Sequence, residues 1–335
     1  MRGIRSVSGW LSFLENYEDS SFFQLMIMEN FVIKRILSNG LGFCLLILIF
    51  GFPLIAESGP QHTQPIVAVT NYPLQYFTER IVGDHIKVIF PIPSSVDPAF
   101  WIPEPGGVLA LQSADVILLN GASYSKWLDK VTLPRRKLVN TSQLFTDRYI
   151  QVQNVTTHRH GPQGKHAHTG LAFTTWIDFQ QAIQQAEAIF NAVVNLTPQY
   201  EKPFEANFLD LKNDLLALAR RLEHIVANNR GQPLVASHPI YDYFARRYDL
   251  NIRSVLWEPD DVPDARQWLE LETLLKNHPA KWMVWEGEPH SPSAEKLESL
   301  GIDSVIFDPT GNVPESGDFL SIMDQNVESL KQAFQ

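Results

Sequence analysis

Between Phe204 and Ile225 an apolar residue recurs at alternating steps of four and three: Phe204, Phe208, Leu211, Leu215, Leu218, Leu222, Ile225. Only a helix turns such a series onto one face. At 1.5 Å of rise per residue a helix of about 25 residues is about 40 Å long. That is enough to run along two bodies, which makes this stretch the spine of the chain. Pro203 marks its start or a kink, and Asn228, Asn229 and Gly231 mark its end.

The same rhythm stands on both sides of the spine. Before it, strands are expected at residues 66–70, 86–92, 116–119 and 137–139, with helices carrying Leu74, Phe77 and Ile81, then over 108–113 and 125–131. After it, strands at 234–237, 252–256, 281–285 and 304–307 alternate with helices at 241–248, 265–276, 293–300 and 317–334. Strands interleaved with helices imply parallel sheets. The expected fold is α/β, with two Rossmann-like lobes of parallel sheet joined by a long rigid helix. The expected limits are 59–196 for the first lobe, 197–230 for the connecting helix and 231–335 for the second lobe. The lobes share this rhythm but no sequence repeat.

Two stretches depart from it. Residues 151–172 (QVQNVTTHRHGPQGKHAHTGLA) are polar, carry glycine and hold no period, so a mobile loop is expected within the first lobe. His158, His160, His166 and His168 give this loop a metal-binding composition. Asp178, with Gln181 three residues on, reads as an N-cap and capping box. At the other stretch, residues 41–55, an apolar run follows Lys34 and Arg35 and precedes Ala56-Glu57-Ser58. It is shorter than the about 20 apolar residues that span a bilayer and fits a cleaved export signal over 1–58. Glu15, Glu18 and Asp19 suit such a signal poorly, so a start at Met26 or Met28 is expected. Cleavage near Ser58 removes Cys44, the only cysteine, and an uncleaved anchor is the other reading. The expected destination is the periplasm or another extracytoplasmic space.

Of the 335 residues, 44% are apolar and 19% charged, as in a folded globular protein of about two domains. A net charge of -10 with no Lys/Arg cluster excludes a nucleic-acid surface. There is no glycine-rich phosphate loop, no G-x-S-x-G, no H-E-x-x-H and, after cleavage, no cysteine nucleophile, so no enzyme is expected.

Ligands of open parallel sheets bind beyond the carboxyl ends of the strands. There the sequence puts Asn71, Tyr72, the loop from Asp97 to Glu104, Asn120, His238, Glu258, Glu286 and Asp308. One imidazole and three carboxylates of the second half suit zinc or manganese. Each also has a plainer reading: His238 at a helix start, and Glu258-Pro259-Asp260-Asp261 and Asp308-Pro309-Thr310-Gly311 as turns. Trp101, Trp176, Trp257 and Trp285 lie near these loops, as packing between lobes or as walls of a cleft for a cationic ligand.

Several stretches, in order, carry a resemblance: VTNYPLQYFTERIVGD, LQSADVILLNGASYSKWLDK, ASHPIYDYFARRYDL and FDPTGNVPESGDFLSIMDQNVESL. The chain from residue 65 onward resembles the metal-specific solute-binding proteins of ABC transporters, the zinc and manganese family. The resemblance implies an ion held between the lobes by three histidines, or two and a carboxylate, with an aspartate near the C-terminus. The histidine of the family's P-H-x-W-x-P pattern falls on Ala99, and that of H-x-W-L-D on Thr174. The third matches His238 and the aspartate matches Asp308. Replacement ligands are therefore expected, from Glu286, Glu104 or the loop histidines. The function implied is an exported monomer that captures a divalent cation, zinc first and manganese second, or a metal complex, and hands it to a permease. A relative with a degenerate metal site, acting in interaction or metal delivery without ordinary ion capture, stands as the alternative.

Overall fold

The computed structural model describes residues 64–159, 165–227 and 229–335, and of residues 153–169 the backbone alone is described. The export signal with its alternative starts, Cys44 and His160 lie outside the described residues. Among the described residues no helix is long and apolar enough to cross a membrane.

Local chemistry sets the first elements. β1 (Ile66–Val69) stops at Asn71, whose side-chain oxygen accepts the Leu74 N–H at 3.2 Å and so starts α1 (Tyr72–Val82), with Pro73 in the first turn. β2 (Lys87–Ile89), α2 (Pro105–Ser113), β3 (Val116–Leu119) and β4 (Leu138–Asn140) complete the first sheet, in parallel order β2-β1-β3-β4. β2 is shorter than the expected 86–92, because it is an edge strand and Pro91 and Pro93 bring no ladder donor. The helix expected over 125–131 is a 3-10 turn, Lys126–Lys130.

The expected mobile loop is instead a ribbon. β5 (Gln151–Arg159) and β6 (Lys165–Leu171) pair antiparallel, with His158 opposite His166 and Thr156 opposite His168. The strand signal there is β-branched residues, Val152, Val155, Thr156 and Thr157, and apolar alternation is absent. Asp178 caps α3 (Phe179–Leu196) by accepting the Gln180 and Gln181 N–H groups at 3.0 and 3.4 Å. The expected capping box does not close, since the Asp178 N–H goes to the Thr175 carbonyl at 3.3 Å. α4 (Glu201–Val226) is the spine, buried along Phe204, Phe208, Leu211, Leu215, Leu218 and Leu222 and ending on Val226 rather than Ile225.

β7 (Pro233–Ala236), α5 (Asp242–Tyr248), β8 (Asn251–Ser254), α6 (Ala265–Leu275), β9 (Trp282–Trp285), α7 (Ser291–Ser299) and β10 (Asp303–Ile306) build the second sheet. Its parallel order is β10-β9-β7-β8. α8 (Phe319–Ala333) closes the chain, capped by Asp318 and Ser321 in a reciprocal box. Each sheet thus runs second, first, third, fourth strand, an architectural repeat without a sequence repeat.

Strand alternation divides each sheet between two cores. Val67, Val69, Leu234, Ala236 and Val284 face the main core, shared with α1, α3, α4 and α8. On the outer faces, Ala68 and Ile117 pack with Trp101 and Trp127, and Val235 and Met283 with Trp257, Trp268 and Trp285. α4 touches α1 and α3 on one side and α8 on the other. The spine is therefore an inner wall common to both halves.

Candidate metal centre

In each sheet the connections leave in opposite directions from the first and third strands, and a crevice opens between their carboxyl ends. In the second sheet these are β7 and β9. His238 follows β7 by two residues, Glu286 is the residue after β9, and Glu258 lies beyond β8. The strands continue as a partial ladder toward the site: Ser237 donates to the Val284 carbonyl at 2.9 Å, and Trp257 to that of Ser237 at 2.8 Å. Backbone pairing thus fixes the Cα positions of all three site residues.

One ligand atom from each of His238, Glu258 and Glu286 lies within 4.8 Å of the others. The His238 Nδ1 is 3.3 Å from a Glu286 oxygen and 3.8 Å from a Glu258 oxygen. Donors about 2.0–2.2 Å from zinc stand about 3.3 Å apart in a tetrahedral shell. The triad needs only a small contraction to close on a cation. The imidazole is 2% exposed and the two carboxylates about a fifth, so the charges lie at the base of a cleft.

Asp308 is not part of this trio. Its Oδ1 accepts the Thr310 N–H at 2.6 Å, and its main chain exchanges two hydrogen bonds with the Asn326 amide at 2.7 and 3.0 Å. Burial pushes its carboxyl up, against the Thr310 bond, which favours the ionised form. It adjoins the centre through Tyr241. That hydroxyl donates to the Phe307 carbonyl at 2.8 Å and is pushed far up by burial and by the charges of Glu286 and Asp308. The Asp308 turn also clasps the two halves together. Trp176 Nε1 donates to the Pro309 carbonyl at 2.7 Å, Tyr72 N–H to that of Gly311 at 3.1 Å, and the Asn312 amide to those of Pro93, Ser94 and Val96.

Facing the trio is a cavity of about 210 Å³, lined by His238, Glu286, Ile240 and Pro309 on one side and Asp97, Pro98, Phe100, Tyr124, Phe173, Thr174 and Trp176 on the other. Ala99 is buried, and its N–H donates to Asp97 Oδ1 at 2.8 Å. Thr174 is buried too, and its hydroxyl donates to the Ile240 carbonyl. Glu104 precedes α2 and lines a different cavity with Trp101 and Ile102. For His158, His166 and His168 only backbone positions in the ribbon are described.

Among the tryptophans, Trp101 packs edge-on to Trp127 at 5.1 Å, and Trp257 lies 4.7 Å from Trp268 and 6.0 Å from Trp285. Those are packing; Trp176 alone of the four also lines the cavity. Sequence reading passed over Tyr124 and Phe173 as cavity walls. Single aromatics on loops carry no period, and the one signal for them is nearness to the ends of β3 and β6.

The family described as "Zinc-uptake complex component A periplasmic" matches residues 67–333. The high-affinity zinc uptake system protein ZnuA of Bacillus subtilis is 25% identical over 282 residues, 80% of this chain and 86% of that protein. The Zn(II)-bound ZnuA-like domain of Streptococcus pneumoniae AdcA superposes with a TM-score of 0.68 at 20% identity, covering 81% of this chain and 99% of the domain. The solute-binding protein FpvC of Pseudomonas aeruginosa, in complex with Mn2+, superposes at 0.65 and 19% identity over 81% of this chain and 99% of FpvC. With the family's profile spanning both sheets and the helix between them, the chain belongs to the ZnuA family of periplasmic metal-uptake solute-binding proteins.

Proposed function

We propose that the protein captures a divalent cation on His238, Glu258 and Glu286 and presents it to the permease of an ABC importer, without catalysing a reaction. One observation carries this reading: an imidazole and two carboxylates converge within 4.8 Å at the crevice of the second sheet. Their mixed nitrogen and oxygen donors suit zinc first and manganese second. Two carboxylates also balance the charge of a divalent ion. Asp308, the expected fourth ligand, serves in this proposal as the former of the interlobe turn and as nearby negative charge. The accessory role of His158, His160, His166 and His168 in gathering metal remains part of the proposal, as do export through the N-terminal signal, a monomeric state and lobes at 59–196 and 231–335 linked by 197–230.

A second reading has one observation behind it. Ala99 and Thr174 stand where the resemblance places two histidines, and neither side chain carries a nitrogen donor. A delivery or interaction protein that takes no free ion would show this.

Thermal unfolding of the metal-stripped protein, with and without zinc or manganese, separates the two, because a ligand that binds only the native state raises its stability. The proposal expects a rise of several degrees for wild type that Glu286→Gln and His238→Ala abolish. An unchanged midpoint with both ions, together with no metal on the protein by elemental analysis, refutes ion capture.

A further inference from the structure

We infer that the cation is taken up as a complex with a small organic chelator, an amino-acid-sized molecule with one nitrogen and one oxygen donor, whose body packs against Phe100, Tyr124, Phe173 and Trp176. The inference rests on the proposed cation site and names the form of its ligand.

The three converging donors share one side: His238, Glu258 and Glu286 all belong to the second half. The opposite wall offers no nitrogen donor: Ala99 has none, the Thr174 hydroxyl donates to the Ile240 carbonyl, and the Asp97 carboxylate, whose Oδ1 accepts the Ala99 N–H, is outside the converging trio. Three protein donors leave one position open in a tetrahedral shell and about three in an octahedral one. His238 and Glu286 also line the cavity, so an ion held by the trio would border it.

The cavity is too large and too apolar for water alone to fill them. Its about 210 Å³ is space for water centres, of which ~10–15 Å³ holds one water, so several waters fit. Completing the shell uses at most about three of these. The space left over is bounded by rings locked edge-to-face: Tyr124 with Phe173 at 5.3 Å, Tyr124 with Trp176 at 5.6 Å and Phe100 with Phe173 at 6.5 Å. Ring faces offer water no ordinary hydrogen bond, so an organic group displaces that water favourably. The volume, below the about 300 Å³ at which drug-sized pockets begin, suits a molecule of amino-acid dimensions. Beside this wall, the Lys126 ammonium lies 4.9 Å from the Phe100 centroid, within reach of the Asp97 charge.

Metal-stripped mature protein is titrated with zinc and with manganese, each alone and with free histidine or picolinate. Isothermal calorimetry gives the affinities and native mass spectrometry the composition. The proposal expects a retained 1:1:1 complex of protein, metal and chelator, and metal affinity at least tenfold tighter with a chelator present. Phe173→Ala is expected to lose that gain while keeping the affinity for metal alone, and Glu286→Gln to lose both. Metal that binds equally with and without either chelator, with no chelator mass retained, overturns this inference and leaves ion capture standing. No binding of either metal, with or without a chelator, overturns ion capture itself and this inference with it. A Phe173→Ala protein with the full chelator gain refutes the aromatic wall.

Discussion

Replacing Asp178 by alanine removes two supports at one point. Its Oδ1 accepts the Gln180 and Gln181 N–H groups at the start of α3 and also the Arg247 Nε–H at 2.7 Å, which ties α3 to α5 across the two halves. Asp178 is fully buried, while the Arg247 side chain is 35% exposed. Loss of an N-cap costs about 1 kcal/mol and up to about 2. A charge-assisted hydrogen bond is worth about 1.5–3 kcal/mol, reduced here to about 1 because water reaches the arginine. The expected total is about 2–3 kcal/mol. At about 2–4 °C per kcal/mol for a fold of this size, the midpoint falls by about 5–10 °C.

Two companion variants apportion the loss. Asp178→Asn keeps an oxygen that caps as well as aspartate and loses only the charge, for about 1 kcal/mol. Arg247→Met keeps the cap and removes the same pair, also for about 1 kcal/mol. Circular dichroism at 222 nm during heating, at pH 7 without metal, gives the three midpoints. If Asp178→Ala melts within a degree of wild type, or Asp178→Asn falls as far as Asp178→Ala, then the cap does not hold this junction.

Two further outcomes follow from the geometry. Gly121 has φ +80°, and a Cβ there would lie 1.9 Å from Ser142 Oγ and 2.2 Å from Asn140 Oδ1, so Gly121→Ala should cost about 3 kcal/mol or more in a urea melt; a cost under about 1 kcal/mol contradicts the clash. Burial pushes the Tyr243 hydroxyl up to about 12, so the neutral phenol is favoured in the fold. Its contribution is whole below the unfolded value of about 10 and is lost as pH rises through about 12. Stability should fall across that window in wild type and more gently in Tyr243→Phe, and identical slopes would remove Tyr243 from the alkaline transition.

His238 and Glu286 were legible because short apolar runs, Leu234-Val235-Ala236 and Trp282-Met283-Val284-Trp285, end two residues before the first and directly before the second. Period and punctuation locate a strand end without any knowledge of its neighbours. Which strand ends meet is a property of pairing. That β7 and β9 lie side by side, bringing Glu286 to His238, depends on pairs 48 residues apart, such as Val235 with Met283, that no local signal encodes. The turn at Asp308 shows the reverse failure. It sits at the expected strand end, yet its short side chain answers first to the Thr310 N–H two residues on, as aspartate in a turn does. The ribbon of β5 and β6 was missed because its strands are organised by pairing with each other, and apolar alternation registers only strands that bury a face.

In the proposed site, His238, Glu258 and Glu286 of the second half meet a wall of rings from the first, which makes metal choice and ligand shape two separable traits. Exchanging Glu258 or Glu286 for another donor alters the charge and geometry offered to the ion. Resizing Phe100, Tyr124 or Phe173 alters only the mould around whatever accompanies it. Contacts that share no partner act independently, so changes of the two kinds should combine additively in binding free energy. A protein built this way can change what it carries one wall at a time.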